Sequence, residues 1–248
     1  MAENHFYNDW QFWSTVVAFI ALGLSQLPPI KLWFRRAQLS CETFTRMHIT
    51  HKVGNPNVQW HLIIENTGGK TLRIKAINLL FKKMDGTLFE LPVQSYLRNP
   101  ESTESVMFTP FRLKSGEEWA HVLTFFSLFS RDDEKKYRLL ESRIRSNIFL
   151  QKENPDNKEK MCEANPDDIS SIISFFQQHF KWVTGEYELI LQIKTDNPKA
   201  DLEHYYRFSL FESESNELRN YSDEYRYGGG LYWNSPTQTG LTIPMHEK

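Results

Sequence analysis

The chain has 248 residues, 40% of them hydrophobic and 14% aromatic, enough apolar surface for a real core, which excludes a chain disordered throughout. A formal net charge of -2, from 29 Lys and Arg against 31 Asp and Glu scattered along the chain, leaves no basic stripe and argues against duplex nucleic acid as a partner. Two cysteines, Cys41 and Cys162, are too few for a disulfide-stapled secreted domain and fit a reducing compartment.

Residues 1–9 carry Glu3 and Asp9 but no Lys or Arg, which excludes the basic n-region of a cleaved signal peptide. Trp10 to Ile30 then contains no charged residue. As a helix rising 1.5 Å per residue, this run spans roughly 30 Å, about one hydrocarbon thickness, and predicts a transmembrane helix over 10–30. Trp10, Phe12 and Trp13 at one end and Trp33 and Phe34 beyond the other match interfacial aromatic belts. Pro28-Pro29 ends or bends the helix. Over 31–40, Lys31, Arg35 and Arg36 mix with apolar residues as an interfacial collar that meets anionic lipid. These cations follow the apolar run, so the positive-inside rule sets residues 1–9 outside and the main domain in the cytoplasm, at the inner membrane of a bacterial cell. Gly23, Ser25 and Gln26 interrupt the run, leaving a helix lying along the interface as one alternative and a buried core helix as another.

The chain from Thr43 is punctuated into short strands, about eight in all, over a domain of 41–212. Trp60, Leu62 and Ile64 alternate with Gln59, His61 and Glu65 as a half-buried strand. Asn66-Thr67-Gly68-Gly69 turns the chain, with glycine supplying positive φ, into Leu72 and Ile74. The apolar phase then flips to Ile77, Leu79 and Phe81, which calls for a bulge near Ala76. Asp85-Gly86 is a hairpin signal, Pro110 interrupts a strand over 106–113, and Leu123 lies on the core face of 118–126. Residues 130–180 form a helical insertion. Ser130 caps a helix carrying Tyr137, Leu140 and Ile144, and Asn165 with Pro166 starts a second, whose apolar face is Ile169, Ile172, Ile173, Phe176 and Phe180. Leu189, Leu191 and Ile193 then face the core from a late strand, and Tyr205 to Phe211 is the last.

The segments WHLIIENTGGKTLRIKAINLLFKK, LKSGEEWAHVLTF and GEYELILQIKT resemble the strand motifs of immunoglobulin-like β-sandwiches. The resemblance implies a mainly β fold, an antiparallel sandwich with a helical insertion behind one N-terminal transmembrane helix, and no particular activity.

Chemistry is sparse. His48, His51 and His61 are a dense histidine group, but positions three apart on a strand face opposite sides, so they read as ordinary histidines. Asp132, Asp133, Asp167 and Asp168 stand where helices begin and are explained by the helix dipole. No phosphate cradle, nucleophile elbow or zinc-protease motif is present, so no catalytic residue, cofactor or metal is expected. In the tail, 213–248, Tyr221, Tyr225, Tyr227, Tyr232 and Trp233 surround Gly228-Gly229-Gly230. They read either as a flexible hinge presenting rings to a partner or as a cover for the domain's own edge. The expectation is a non-enzymatic, membrane-anchored binding or scaffold module with the lipid bilayer and a protein as partners. The alternative is a membrane sensor-effector that binds a small signal, nucleotide among the possibilities, in a stress or phage-defence system.

Overall fold

A computed structural model describes residues 10–25, 36–98 and 104–248. Trp33, Phe34, Lys31 and Arg35 of the expected collar therefore lie outside the described residues. α1 (Trp10–Ser25) has 16 residues, none buried. At 1.5 Å per residue it is about 24 Å long, and no helix among the described residues is long and apolar enough to cross a membrane. Of the expected transmembrane helix over 10–30, residues 10–25 are helical, and residues 26–30 lie outside the described residues.

The remaining elements are β1 (Ser40–Thr43), β2 (Arg46–Lys52), β3 (Asn55–Glu65), β4 (Leu72–Lys83), β5 (Leu88–Leu97), β6 (Ser105–Met107), β7 (Phe111–Leu113), β8 (Glu118–Phe126), α2 (Arg131–Lys152), α3 (Pro166–His179), β9 (Gly185–Thr195), β10 (Leu202–Leu210), α4 (Glu212–Asn220), β11 (Leu241–Pro244) and β12 (His246–Glu247). All pairings are antiparallel, and the strands form one continuous sheet in the order β11-β2-β3-β8-β5-β4-β9-β10-β12, with β1 on β3, β6 on β5 and β7 on β4.

The sheet is rolled nearly into a barrel and is not divided into the two sheets of a sandwich. β5 makes the continuity: Leu88 to Pro92 pair with β4, whereas Val93, Ser95 and Tyr96 pair with β8, with a register shift between Val93 and Ser95. Pro92, which cannot donate to a ladder, stands at the changeover. The far edges are closed from the C-terminal end. β11 pairs with β2 and β12 with β10, with only Met245 between them, so one segment protects both edges. The Met245 N–H donates to the Thr45 carbonyl at 2.8 Å, which holds the crossover in place.

Trp60, Leu62, Ile64, Leu72, Ile74, Leu123, Leu189, Leu191 and Ile193 are all buried, so the expected core face is the observed one. The bulge lies between Ile74 and Ala76, as the phase flip requires. Burial of large aromatics adds directional contacts: Phe81 stacks on Phe89 at 4.8 Å, and Tyr187 on Phe208 at 4.9 Å. Trp60 and Trp182 satisfy their indole N–H groups on the Phe44 and Thr50 carbonyls, both at 2.7 Å.

The Asn66 to Gly69 turn does not make a hairpin, because β3 and β4 are not neighbours in the sheet. Its glycines are not needed for positive φ either. The Gly68 N–H donates to the Gln38 carbonyl at 3.0 Å, and a Cβ there would fall 2.5 Å from the Arg36 carbonyl oxygen. Close approach of the chain entering the barrel excludes a side chain.

α2 and α3 form as the sequence expects. The Ser130 hydroxyl accepts from the Asp133 N–H and the Asn165 side chain from the Asp167 N–H. α3 buries Ile172, Phe175 and Phe176, with Ile173 and Ile169 only partly covered, so its buried stripe is rotated toward Phe175 from the expected face.

Candidate functional site

The tail is a folded part of the domain. Ser215 on α4 donates to the Trp182 carbonyl at 2.8 Å, and the Leu218 carbonyl is 2.7 Å from His51 Nε2. Tyr221 and Tyr225 follow in a 3-10 helix and are 5% and 1% exposed. The Tyr221 hydroxyl accepts from the Gly240 N–H at 2.9 Å, while the Tyr225 ring meets Phe176 edge-on at 5.8 Å. These two rings cover the domain's own surface and present nothing to a partner.

The glycine run is a tight corner and not a hinge. Gly228 caps the 3-10 helix with φ of 82°, and a Cβ on it would run into the Tyr232 ring. The Gly230 N–H donates to the Trp233 carbonyl at 2.8 Å, which folds Tyr232 and Trp233 back beside Tyr227. The Trp233 indole N–H in turn donates to the Tyr227 carbonyl at 3.1 Å.

This corner sets Tyr227, Tyr232 and Trp233, all half-buried, against Ile148, Phe149 and Lys152 of α2 and against Met161 and Cys162. They line a groove of 280 Å³. Phe149 is 57% exposed and Met161 65%, an unusual exposure for such side chains side by side. The Tyr227 hydroxyl donates to Glu163 at 3.1 Å, and this bond holds its proton more tightly than in free tyrosine. Lys152, Glu163 and Arg226 supply a charged rim. An apolar floor with aromatic walls and a charged rim is the anatomy of a protein-docking hot spot.

A larger cleft of 510 Å³ lies between the β4–β5 hairpin and β10, lined by Met84, Glu186, Glu188, Arg207, Phe211, Glu214 and His246 among others. Glu188 is held by Lys248 at 2.8 Å and faces Arg207 at 3.9 Å, so part of its charge is already neutralised.

The remaining sequence candidates separate. His51 is enclosed by Phe176, Phe180 and Tyr221, and burial lowers its pKa to about 4. Among the described residues no group of three His, Cys, Asp or Glu is placed to hold a metal ion. Ser130, Asp133 and His179 do approach one another, but the Ser130 hydroxyl donates to Asp133 at 2.7 Å and His179 faces the same carboxylate at 3.5 Å. Serine and histidine are thus both turned to the acid and not to each other, which is capping geometry and lacks the nucleophile–base bond of a triad. Asp133 is held below the usual carboxylate range, first by the Ser130 hydroxyl. Cys41 and Cys162 are both buried free thiols, and burial raises Cys41 to about 12.

Sequence reasoning missed Phe149, Met161 and Trp182. Phe149 lies in the apolar run Ile148-Phe149-Leu150 and Met161 in a polar loop, and their exposure gains meaning only beside the docked tail. No protein-family model matches the chain, and no curated protein matches it.

Proposed function

We propose that the chain is a non-enzymatic binding module tethered to the inner membrane by its N-terminal segment, with the near-barrel domain in the cytoplasm, where its aromatic groove docks a protein partner. The observation that carries this reading is the groove of Tyr227, Tyr232 and Trp233 beside exposed Phe149 and Met161. Its 280 Å³ suits an anchoring side chain of a partner better than a drug-sized ligand, whose pockets run about 300–1,000 Å³.

The tether is supported by α1, which exposes Trp10, Phe12, Trp13, Phe19 and Ile20 and contains no charged residue. Crossing requires the helix to continue past Ser25 through the uncharged residues to Ile30. Arg36 and the cations before it then hold that flank in the cytoplasm. The immunoglobulin-like relationship stays a proposal drawn from the strand motifs alone.

A photo-crosslinking residue in place of Phe149 tests the docking. A discrete adduct is expected that disappears with Trp233→Ala, and none is expected from the same residue at Leu139, which is 52% exposed elsewhere on α2. Equal labelling from both positions would overturn the reading.

The 510 Å³ cleft favours a second reading, a small-ligand sensor. Glu186, Glu188 and Glu214 line it with Arg207 and His246, and Lys248 pairs with Glu188, so a neutral or cationic ligand suits it better than an anionic nucleotide. A thermal-shift screen in which Glu186→Gln with Glu214→Gln abolishes a ligand's stabilisation, and Arg207→Ala does not, would support it.

A further inference from the structure

Cations that are scattered in sequence come together on one outward face of the sheet. β4 and β7 set Arg73 directly opposite Arg112. Like charges in that position repel, and neither is relieved by an ion pair among the described residues. Lys75, two residues along β4, shares the face of Arg73, and Lys114 is exposed two residues beyond Arg112. Exposed Lys70 and Arg36 extend the surface past Gly69, whose N–H donates to the Arg36 carbonyl at 3.2 Å.

Four carboxylates lie nearby: Asp196 accepts the Arg73 main-chain N–H at 3.0 Å, Glu117 accepts that of Lys114 at 2.7 Å, and Glu65 and Glu118 oppose each other on β3 and β8. Among the described residues none of them forms an ion pair with Arg73, Lys75, Arg112 or Lys114, and with Lys70 and Arg36 the cations outnumber them. Behind the cations, on the core side of the sheet, Phe111 meets Trp119 at 4.5 Å and Trp119 meets Tyr96 at 5.3 Å. Met107, a few residues away, is 80% exposed.

The chain enters the barrel at this same end, where Arg36 and Gln38 bond to Gly69 and Gly68. The eleven steps from Ser25 to Arg36 can reach about 40 Å at most, so a bilayer holding α1 lies within reach of the cationic face. Exposed cations without ion-pair partners among the described residues, gathered on one face within reach of a bilayer, suit an anionic headgroup region. Nucleic acid would call for freely presented stacking rings and a basic groove, and these rings are partly covered.

We propose that the β4–β7 face is a headgroup-docking surface, with Arg73, Lys75, Arg112 and Lys114 meeting the phosphates of anionic lipid and laying the domain against the membrane. The proposal rests on the membrane tether. With each cation near an anionic surface contributing about 1 kcal/mol, Arg73→Gln with Arg112→Gln should lower the docked-to-free ratio about thirtyfold.

The test uses the full chain reconstituted in nanodiscs of neutral phosphatidylcholine or of a mixture with phosphatidylglycerol. A fluorophore on Thr71→Cys, with Cys41 and Cys162 buried, reports headgroup proximity through quencher lipids. The expected result is stronger quenching in anionic discs, weakened by salt and by the double substitution and unchanged by Lys158→Gln. Quenching that is equal in both discs and indifferent to the double substitution, in a protein that still incorporates, would overturn the docking surface alone. Failure to incorporate into either disc would overturn the tether and the docking surface together. Retention of a DNA duplex that depends on Arg73 and Arg112, without any lipid dependence, would reassign the face to nucleic acid and also overturn the proposal.

Discussion

His51 joins the β2–β3 hairpin to α3 and α4 as a neutral ring, and its replacement should flatten the acid branch of the stability profile. Its Nε2 lies 2.7 Å from the Leu218 carbonyl and its Nδ1 accepts the Gly54 N–H at 3.1 Å. A ring so engaged carries its proton on Nε2, and a second proton on Nδ1 would face an N–H donor inside a cage of aromatic rings. Burial first, against the opposing bond to Leu218, lowers its pKa from 6.5 to about 4. Between those values the unfolded chain binds a proton that the folded chain refuses. The His51 contribution is therefore complete above pH 6.5, declines as pH falls toward 4, and declines no further below that. At 1.36 kcal/mol per pH unit of pKa difference, the loss is about 3 kcal/mol. Denaturant unfolding of the full chain in a nonionic detergent, at pH 7 and at pH 4, measures it. Wild type should lose about 3 kcal/mol more than His51→Gln over that interval, the carboxylates being common to both and cancelling. Parallel profiles for the two proteins would refute the reasoning. His48, whose pKa burial also lowers, should add a smaller loss of the same sign, removed by His48→Gln.

Other substitutions test the packing. The Tyr225 hydroxyl is buried without a hydrogen-bond partner among the described residues, whereas that of Tyr137 donates to the Leu231 carbonyl at 3.1 Å. Tyr225→Phe should be neutral or stabilising by about 1 kcal/mol and Tyr137→Phe destabilising by about 1 kcal/mol, read from unfolding midpoints at constant m. Asn66 is fully buried and bonds the Lys70 and Leu113 carbonyls at 2.9 Å, as well as the Gly68 N–H, so Asn66→Ala should cost about 2–4 kcal/mol in the same assay. Gly228→Ala should cost about 1–2 kcal/mol for the left-handed backbone and more for the displaced Tyr232, with a change in near-ultraviolet circular dichroism. Trp233→Ala should leave the melting temperature within a few degrees while removing docking at the groove, because the ring is only half-buried.

Local patterns carry local structure, and these were legible. The alternation of Trp60, Leu62 and Ile64, the phase flip at Ala76 and the caps at Ser130 and Asn165 act within a few residues of themselves. What depends on distant residues was not legible. That Gly68 is needed for close approach and not for φ depends on Arg36 arriving from thirty residues away. Leu241 to Glu247 is too short to announce its partners, yet it closes both edges of the sheet because β2 and β10 both lack an outer partner until it arrives. Of the five tail aromatics singled out, Tyr221 and Tyr225 are spent on the domain's own core, and only Tyr227, Tyr232 and Trp233 reach the groove. The division follows from the 3-10 helix and the Gly228 corner, neither of which a list of ring positions reveals. The cationic face escaped for the same reason, since Arg73 and Arg112 meet only through the pairing of β4 with β7.

Topology is the measurement that bears most directly on a membrane-tethered cytoplasmic module. A reporter active only in the cytoplasm is fused after Lys248, and Asn4→Cys is labelled with a membrane-impermeant thiol reagent in intact cells. Cys41 and Cys162 are buried, so background labelling is low. An active reporter with a labelled N-terminus is the predicted result. An inactive reporter, or a protein recovered entirely in the supernatant after alkaline extraction, would contradict it.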